Sequence, residues 1–156
     1  MITLQFVGSD SLSSRFIELK GGGPYSHVDI VLPDETLLGA RDDVVGGQPS
    51  GVHIMPAGYE TWERVARVHV ECTEEQAAIA YAYAKAQLGK PYDSTAILAF
   101  IFNRDWKEED SWFCSELAIA TIRFLFKYPP ATSVNKIDPC MAFALASTLG
   151  AFTVIK

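Results

Sequence analysis

Cys114 is the residue with the clearest chemical potential, because the sequence places it in the first turn of a predicted helix. Ser111 is a suitable N-cap, and apolar residues recur at helical spacing from Ala118 to Leu125. A thiol in this position meets the free N–H groups and the positive end of the helix dipole, and both favour the reactive thiolate. The competing interpretation is a small buried hydrophobe, which is what free cysteines most often are.

His27 is the best candidate for the imidazole that a cysteine nucleophile needs to carry a proton. Residues 25–32 alternate between two faces of a predicted strand, and His27 shares its face with Asp29. A carboxylate beside an imidazole orients it and favours its charged form. Cα atoms two positions apart on a strand are about 6.6 Å from each other, so a direct bond between these side chains is expected to be strained. The glycines before Pro24 leave room for a substrate.

The remaining histidines and cysteines give no second site. His53 and His69 alternate with apolar residues in predicted strands, and a structural role is expected for both. The three cysteines are odd in number and lack metal-type or redox-type spacing, which argues against a disulfide framework. A metal site built from Cys114, His27 and a carboxylate would lack a fourth ligand. We therefore expect no metal and no cofactor.

Secondary-structure signals place strands first, helices second and one strand last. This order predicts a single α+β domain over residues 1–156, with helices packed against an antiparallel sheet. Thr73 to Gln76 has the form of a capping box, and Asp138 followed by Pro139 has the form of a helix start. The predicted strands are 1–8, 25–32, 36–41, 51–55, 63–72 and 152–155, and the predicted helices are 15–19 (a short helix or turn), 73–89, 95–103, 112 to about 127–130, and 138–150.

Composition and charge narrow the range of partners. The chain is 49% hydrophobic and carries a formal net charge of −6, with no basic face for nucleic acid or an anionic membrane. The longest apolar run, Ala96 to Phe102, is far shorter than the roughly 20 residues that span a bilayer. The first residues lack the basic n-region and long apolar run of a secretory signal. We expect synthesis in the cytoplasm without a signal peptide and no stable membrane insertion; the site of action is left open.

Three stretches carry a resemblance to a known family: Ser26–Leu32 (SHVDIVL), Gly89–Asp93 (GKPYD) and Trp112–Leu117 (WFCSEL). Together, in this order, they resemble the YiiX/YebB-like branch of the NlpC-type cysteine peptidase superfamily. The resemblance implies a circularly permuted papain-like fold, in which the histidine strand precedes the cysteine helix. It also implies that Cys114 is the nucleophile and His27 the base. Small proteins with this pattern are similar to ones encoded in phages and prophages.

The third catalytic position departs from the pattern of that family. Its members often carry a polar residue about twelve positions after the histidine, and here that position is Gly39, which has no side chain. Asp29 is the proposed substitute, with Glu35 and Asp42 as alternatives. If none of these carboxylates reaches His27, the site is a dyad or is inactive.

Five residues near these motifs are candidates for substrate binding. Aromatic residues beside turns either line a cleft or simply pack, and Asp93 serves equally well as a helix cap. Glu116 is expected to point away from Cys114, because its charge there would oppose thiolate formation. The candidate substrate-binding residues are Tyr25, Ser26, Tyr92, Asp93 and Trp112.

The chemistry and the resemblance together predict a cysteine hydrolase that cleaves an amide or peptide bond. The resemblance extends the substrates to cell-wall peptides and acyl-bearing lipids. Acyl transfer or thioester hydrolysis on a lipid is the first alternative, and a catalytically inactive, peptide-binding accessory protein is the second. The expected partner is accordingly a peptide, peptidoglycan or acyl-bearing substrate, with no prediction for the oligomeric state.

Overall fold

A computed structural model describes residues 1–9, 19, 22–44, 47–94, 110–127 and 137–156. Six strands in these ranges form one sheet, in which every neighbouring pair is antiparallel. The predicted α+β architecture is thus confirmed. The strands are β1 (Ile2–Gly8), β2 (His27–Val31), β3 (Leu37–Arg41), β4 (Gly51–Met55), β5 (Arg64–Val70) and β6 (Gly150–Val154), in the spatial order β4-β3-β2-β1-β5-β6.

Three α-helices lie in the described part of the chain: α1 (Glu74–Lys85), α2 (Cys114–Ile122) and α3 (Pro139–Ser147). The capping box before α1 is present, since Gln76 N–H donates to Thr73 Oγ1 at 3.2 Å and Thr73 N–H donates to Gln76 Oε1 at 2.9 Å. Asp138 caps α3 by accepting from Met141 N–H at 2.9 Å. Both helix starts were predicted from the sequence.

The helices end earlier than predicted. α1 stops at Lys85, and the chain continues in turns to Gly89, whose φ of +80° suits glycine. After Ile122, α2 tightens into a short 3₁₀ helix, Arg123–Leu125. α3 stops at Ser147, because from Gly150 onward the backbone pairs with β5 instead. The predicted helices 15–19 and 95–103 lie outside the described residues, Leu19 apart.

The core lies between one face of the sheet and the helices, with α2 against β2 and β3. Leu4 and Ile30 are buried on the sheet side, and Leu117 and Ile119 on the α2 side. Each such side chain contributes roughly 1.5–3 kcal/mol by leaving water. This packing fixes α2, and so the residue at its start, against the strand that begins with His27. None of the described helices has the length and apolar character needed to cross a membrane.

Candidate active site

The segment that leads into α2 is tied to the sheet through the stretch around Tyr92. Tyr92 pairs with Trp112 in a short bridge, in which Asp93 N–H donates to Trp112 O at 3.0 Å and Trp112 N–H donates to Pro91 O at 3.1 Å. Lys90 O in turn accepts from Val52 N–H of β4 at 2.9 Å. These backbone hydrogen bonds fix the position of the segment before Cys114 relative to β4.

Cys114 is the first residue of α2, so the predicted position in the first helical turn is confirmed. The predicted N-cap, Ser111, is wrong, because Phe113 occupies that position with extended φ and ψ of −88° and 151°. The helix cannot begin earlier, since Trp112 is held beside Tyr92. Glu116 turns back to accept from Phe113 N–H at 3.2 Å, which satisfies one donor at the helix start.

His27 and Asp29 share a face of β2, as predicted, and their side chains meet. His27 Nε2 lies 2.8 Å from Asp29 Oδ1, so the strain expected of a bond along one strand does not prevent it. Asp29 is fully buried, and the His27 side chain is 12% exposed. A hydrogen bond in so dry a place is stronger than in water and fixes the orientation of the ring.

Gly39 makes room for this carboxylate. It lies opposite Asp29 on β3, and a Cβ built there would overlap Asp29 Oδ1 and stand 3.6 Å from His27 Nε2. The absent side chain thus leaves the space in which Asp29 reaches the ring. Of the alternatives, Glu35 pairs with Arg67 at 3.0 Å and Asp42 is exposed. The structure brings Asp29 to His27 and gives no such contact to the other two.

Cys114 lies near the His27 side chain, close enough to raise the pKa of the ring. Because Asp29 holds Nε2, the ring nitrogen left for the thiol is Nδ1. Burial alone would lower the pKa of His27, but the negative charges and hydrogen bonds of Asp29 and Cys114 outweigh it and raise this pKa to about 10. The ring is therefore an imidazolium at neutral pH.

Three side chains that the sequence analysis did not select complete the surroundings of His27. Tyr59 O–H donates to Asp29 Oδ2 at 3.0 Å and accepts from Arg41 Nη1 at 2.8 Å. Trp62 stacks on the His27 ring, with 6.0 Å between centroids and 13° between planes. Arg41 follows Gly39 by two positions on β3, so strand alternation predicts that the two residues lie on the same face of the sheet. Tyr59 and Trp62 lie in the connection from β4 to β5, where no periodicity marks a face.

The predicted substrate-binding residues fall into two groups. Tyr92 lies beside Cys114, and its pKa is raised, first by burial and then by the charge of Cys114. Ser26 and Asp93 are buried, the former directly before His27 in the chain. The remaining two are used in packing: Tyr25 lies with its ring 4.7 Å from that of Phe143, and Trp112 Nε1 donates to Gln87 Oε1 at 3.2 Å.

The raised pKa of His27 gives a first prediction. Asp29→Asn removes the charge that opposes burial, so the pKa of His27 should fall from about 10 toward or below the ordinary value of about 6.5. Because the folded pKa lies above the unfolded one, the protonated ring stabilises the fold fully below about pH 6.5 and loses that effect as the pH rises through about 10. An NMR titration of the His27 ring protons measures the shift. An unchanged titration in the variant would contradict the prediction.

Comparison with known proteins identifies a similar fold and no family. No family and no curated protein matches the sequence. Among solved structures, the metalloprotein YiiX of Escherichia coli O157:H7 matches with a TM-score of 0.52 and 21% sequence identity, over 98% of this chain and 87% of that one. At this level of identity the likeness concerns the fold alone. The chain has a YiiX-like α+β fold.

Proposed function

We propose that this protein is a cysteine hydrolase that cleaves an amide or peptide bond through Cys114, His27 and Asp29. The observation that carries the proposal is the position of His27, held at 2.8 Å by a buried carboxylate and close enough to Cys114 for that residue to raise the pKa of the ring. A catalytic triad has three parts: a nucleophile, a group that carries its proton, and a third group that orients the proton carrier.

The first half of the reaction is acylation of Cys114. The sulfur, as thiolate, attacks the carbonyl carbon of the substrate and forms a C–S bond, while the carbonyl electrons move to the oxygen. The backbone N–H of Cys114, which has no partner within the helix because it is the first residue of α2, is the candidate donor to the developing oxyanion. The imidazolium of His27 then gives its proton to the leaving nitrogen as the C–N bond breaks, which leaves a thioester.

The second half returns the enzyme to its starting state. His27, now neutral, takes a proton from water as the water oxygen attacks the thioester carbon. The C–S bond breaks, the acid product leaves, and the thiolate and imidazolium are restored. Throughout, Asp29 keeps the ring oriented and supports its positive charge, without itself taking the proton.

The order of the elements supports a permuted papain-like arrangement as part of this proposal. The histidine strand β2 precedes the cysteine helix α2 along the chain, and the two starts lie together in space. The YiiX-like fold agrees with the family resemblance of the three sequence stretches. Cell-wall peptides and acyl-bearing lipids are the substrate classes that this resemblance implies.

A metal centre does not fit the residues of this site. The neighbour with the similar fold is described as a metalloprotein. Within the described ranges, however, no group of three or more histidine, cysteine or acidic side chains is arranged to hold a metal ion. His27 and Asp29 already bond to each other, and Asp29 also accepts from Tyr59.

The test of the proposal is acylation by p-nitrophenyl acetate, an activated ester that needs no knowledge of the natural substrate. Cys72 and Cys140 are first changed to serine, so that Cys114 is the only thiol. We expect an initial burst of p-nitrophenol and an acetyl group that mass spectrometry locates on Cys114. Serine keeps the hydrogen bond that Cys140 makes to Tyr25 O at 3.2 Å, so the background variant should fold. A folded protein without burst or acetyl-Cys114 would contradict the proposal and leave the peptide-binding alternative.

A further inference from the structure

We propose that Tyr59 is a positioning residue that holds the Asp29 carboxylate in the plane in which it orients His27. This inference rests on the proposed function, since it assigns a role to a group that acts through Asp29. Tyr59 lies in the connection between β4 and β5, far from Cys114 along the chain.

The two oxygens of Asp29 have separate tasks. Oδ1 lies 2.8 Å from His27 Nε2, and Oδ2 accepts from Tyr59 O–H at 3.0 Å. With both oxygens engaged, the carboxylate cannot turn about its bond to Cβ without breaking one bond. Without the phenol, only the bond to the ring would resist that rotation.

The lack of a side chain at Gly39 makes this second bond to Asp29 important. Glycine at that position gives Asp29 the room to reach His27, but it also presents no side chain that packs against the carboxylate from β3. A buried charge without enough partners is costly, and a loosely held one orients its neighbour poorly. Tyr59 supplies both the hydrogen bond and the restraint.

Tyr59 is itself held by Arg41. Arg41 Nη1 donates to the phenol oxygen at 2.8 Å, so the phenol hydrogen is left to point at Asp29. The guanidinium lies 5.1 Å from the centre of the Tyr59 ring and is anchored by Asp43 at 2.7 and 2.8 Å and by Glu60 at 2.8 Å. Two bonds to one carboxylate make Arg41 a rigid support.

The charges around the phenol keep it a donor. Burial and the negative charge of Asp29 raise the pKa of Tyr59 well above its ordinary range, and the opposing effect of Arg41 is smaller. The phenol therefore stays protonated at neutral pH.

Tyr59→Phe tests the proposal, because it removes only the hydroxyl and keeps the ring between Arg41 and Trp62. The first measurement is the low-field proton resonance of the His27 N–H that bonds to Asp29. We expect this resonance to be lost to faster exchange with solvent. The second is the rate of Cys114 acylation by p-nitrophenyl acetate, expected to fall about 10-fold, as for the loss of one hydrogen bond to a charged group.

Tyr83→Phe is the matched control, since that tyrosine lies on α1 and its ring packs against Trp112, whereas the ring that stacks on His27 is Trp62. Resonance and acylation rate should both stay as in the unchanged protein. If Tyr59→Phe does not fold, Arg41→Gln removes the support of the phenol and should weaken the same resonance. A sharp, unchanged resonance in a folded Tyr59→Phe protein would overturn the proposal. Failure of the unchanged protein to acylate would overturn the proposed function alone, because the resonance does not depend on it.

Discussion

Gly39→Ala is expected to slow the acylation of Cys114 by about 100-fold, the loss that a displacement of about 1 Å in a catalytic group produces. The new Cβ would overlap Asp29 Oδ1, the oxygen that bonds to His27. The backbone cannot retreat, because Gly39 pairs with His53 of β4 inside the sheet. The carboxylate must therefore leave the ring. The rate of p-nitrophenol release measures the effect.

The control for this prediction is the same substitution in a protein that already lacks the carboxylate. In Asp29→Ala the added methyl group meets no oxygen, so Gly39→Ala should change the rate little. A double-mutant cycle of the two changes thus isolates the clash from any general effect on β3. If Gly39→Ala lowers the acylation rate equally with and without Asp29, the glycine is needed for the structure of β3 and not for the position of the carboxylate.

His27→Ala is expected to lower the turnover of p-nitrophenyl acetate by at least about 1,000-fold, since members of a triad act as a unit. The substitution leaves a space bounded by Trp62, Asp29 and Cys114. Added imidazole should enter this space, because the His27 side chain is 12% exposed, and should restore part of the rate. Partial restoration by imidazole would be specific to the loss of a proton carrier.

His69→Ala is the matched control for His27→Ala. His69 also lies on a strand, and its Nδ1 is 3.2 Å from Thr3 Oγ1, away from Cys114. Its loss should leave turnover unchanged, and imidazole should have no effect. If imidazole fails to restore a folded His27→Ala protein, the ring acts by packing and not by proton transfer.

Much of the site was visible in the sequence because it depends on local geometry. Strand alternation alone put His27 and Asp29 on one face, and the apolar pattern after Cys114 put that residue at a helix start. The order of elements also predicted the antiparallel α+β sheet. The catalytic roles of these residues stay predictions.

The missed features depend on contacts between distant parts of the chain. Trp112 pairs with Tyr92, which delays the helix start and moves the cap from Ser111 to Phe113. The meaning of Gly39 also depends on register, since only its place opposite Asp29 explains the lack of a side chain. At the sequence level this glycine looked like a missing catalytic residue.

Tyr59 and Trp62 show the same limit. They come to His27 because the connection between β4 and β5 folds back over the start of β2, with Tyr59 N–H donating to Pro56 O at 3.2 Å in a turn. Neither residue belongs to a periodic element, so no pattern assigns it a face. Irregular connections reach a site through tertiary contacts, which a single sequence does not display.

The most direct test of the central claim, that Cys114 and His27 form a reactive pair, is the rate of Cys114 alkylation by iodoacetamide at pH 6. The measurement uses the variant that carries Cys72→Ser and Cys140→Ser. Its rate in the folded state is compared with its rate after unfolding in urea. An ordinary thiol, with a pKa of about 8.5, is only about 0.3% thiolate at this pH. Cys114 is 2% exposed, so burial alone would make the folded protein react more slowly. We predict that the folded protein reacts faster and that His27→Ala removes the difference. A folded protein that reacts more slowly than the unfolded chain, with or without His27, would contradict the account.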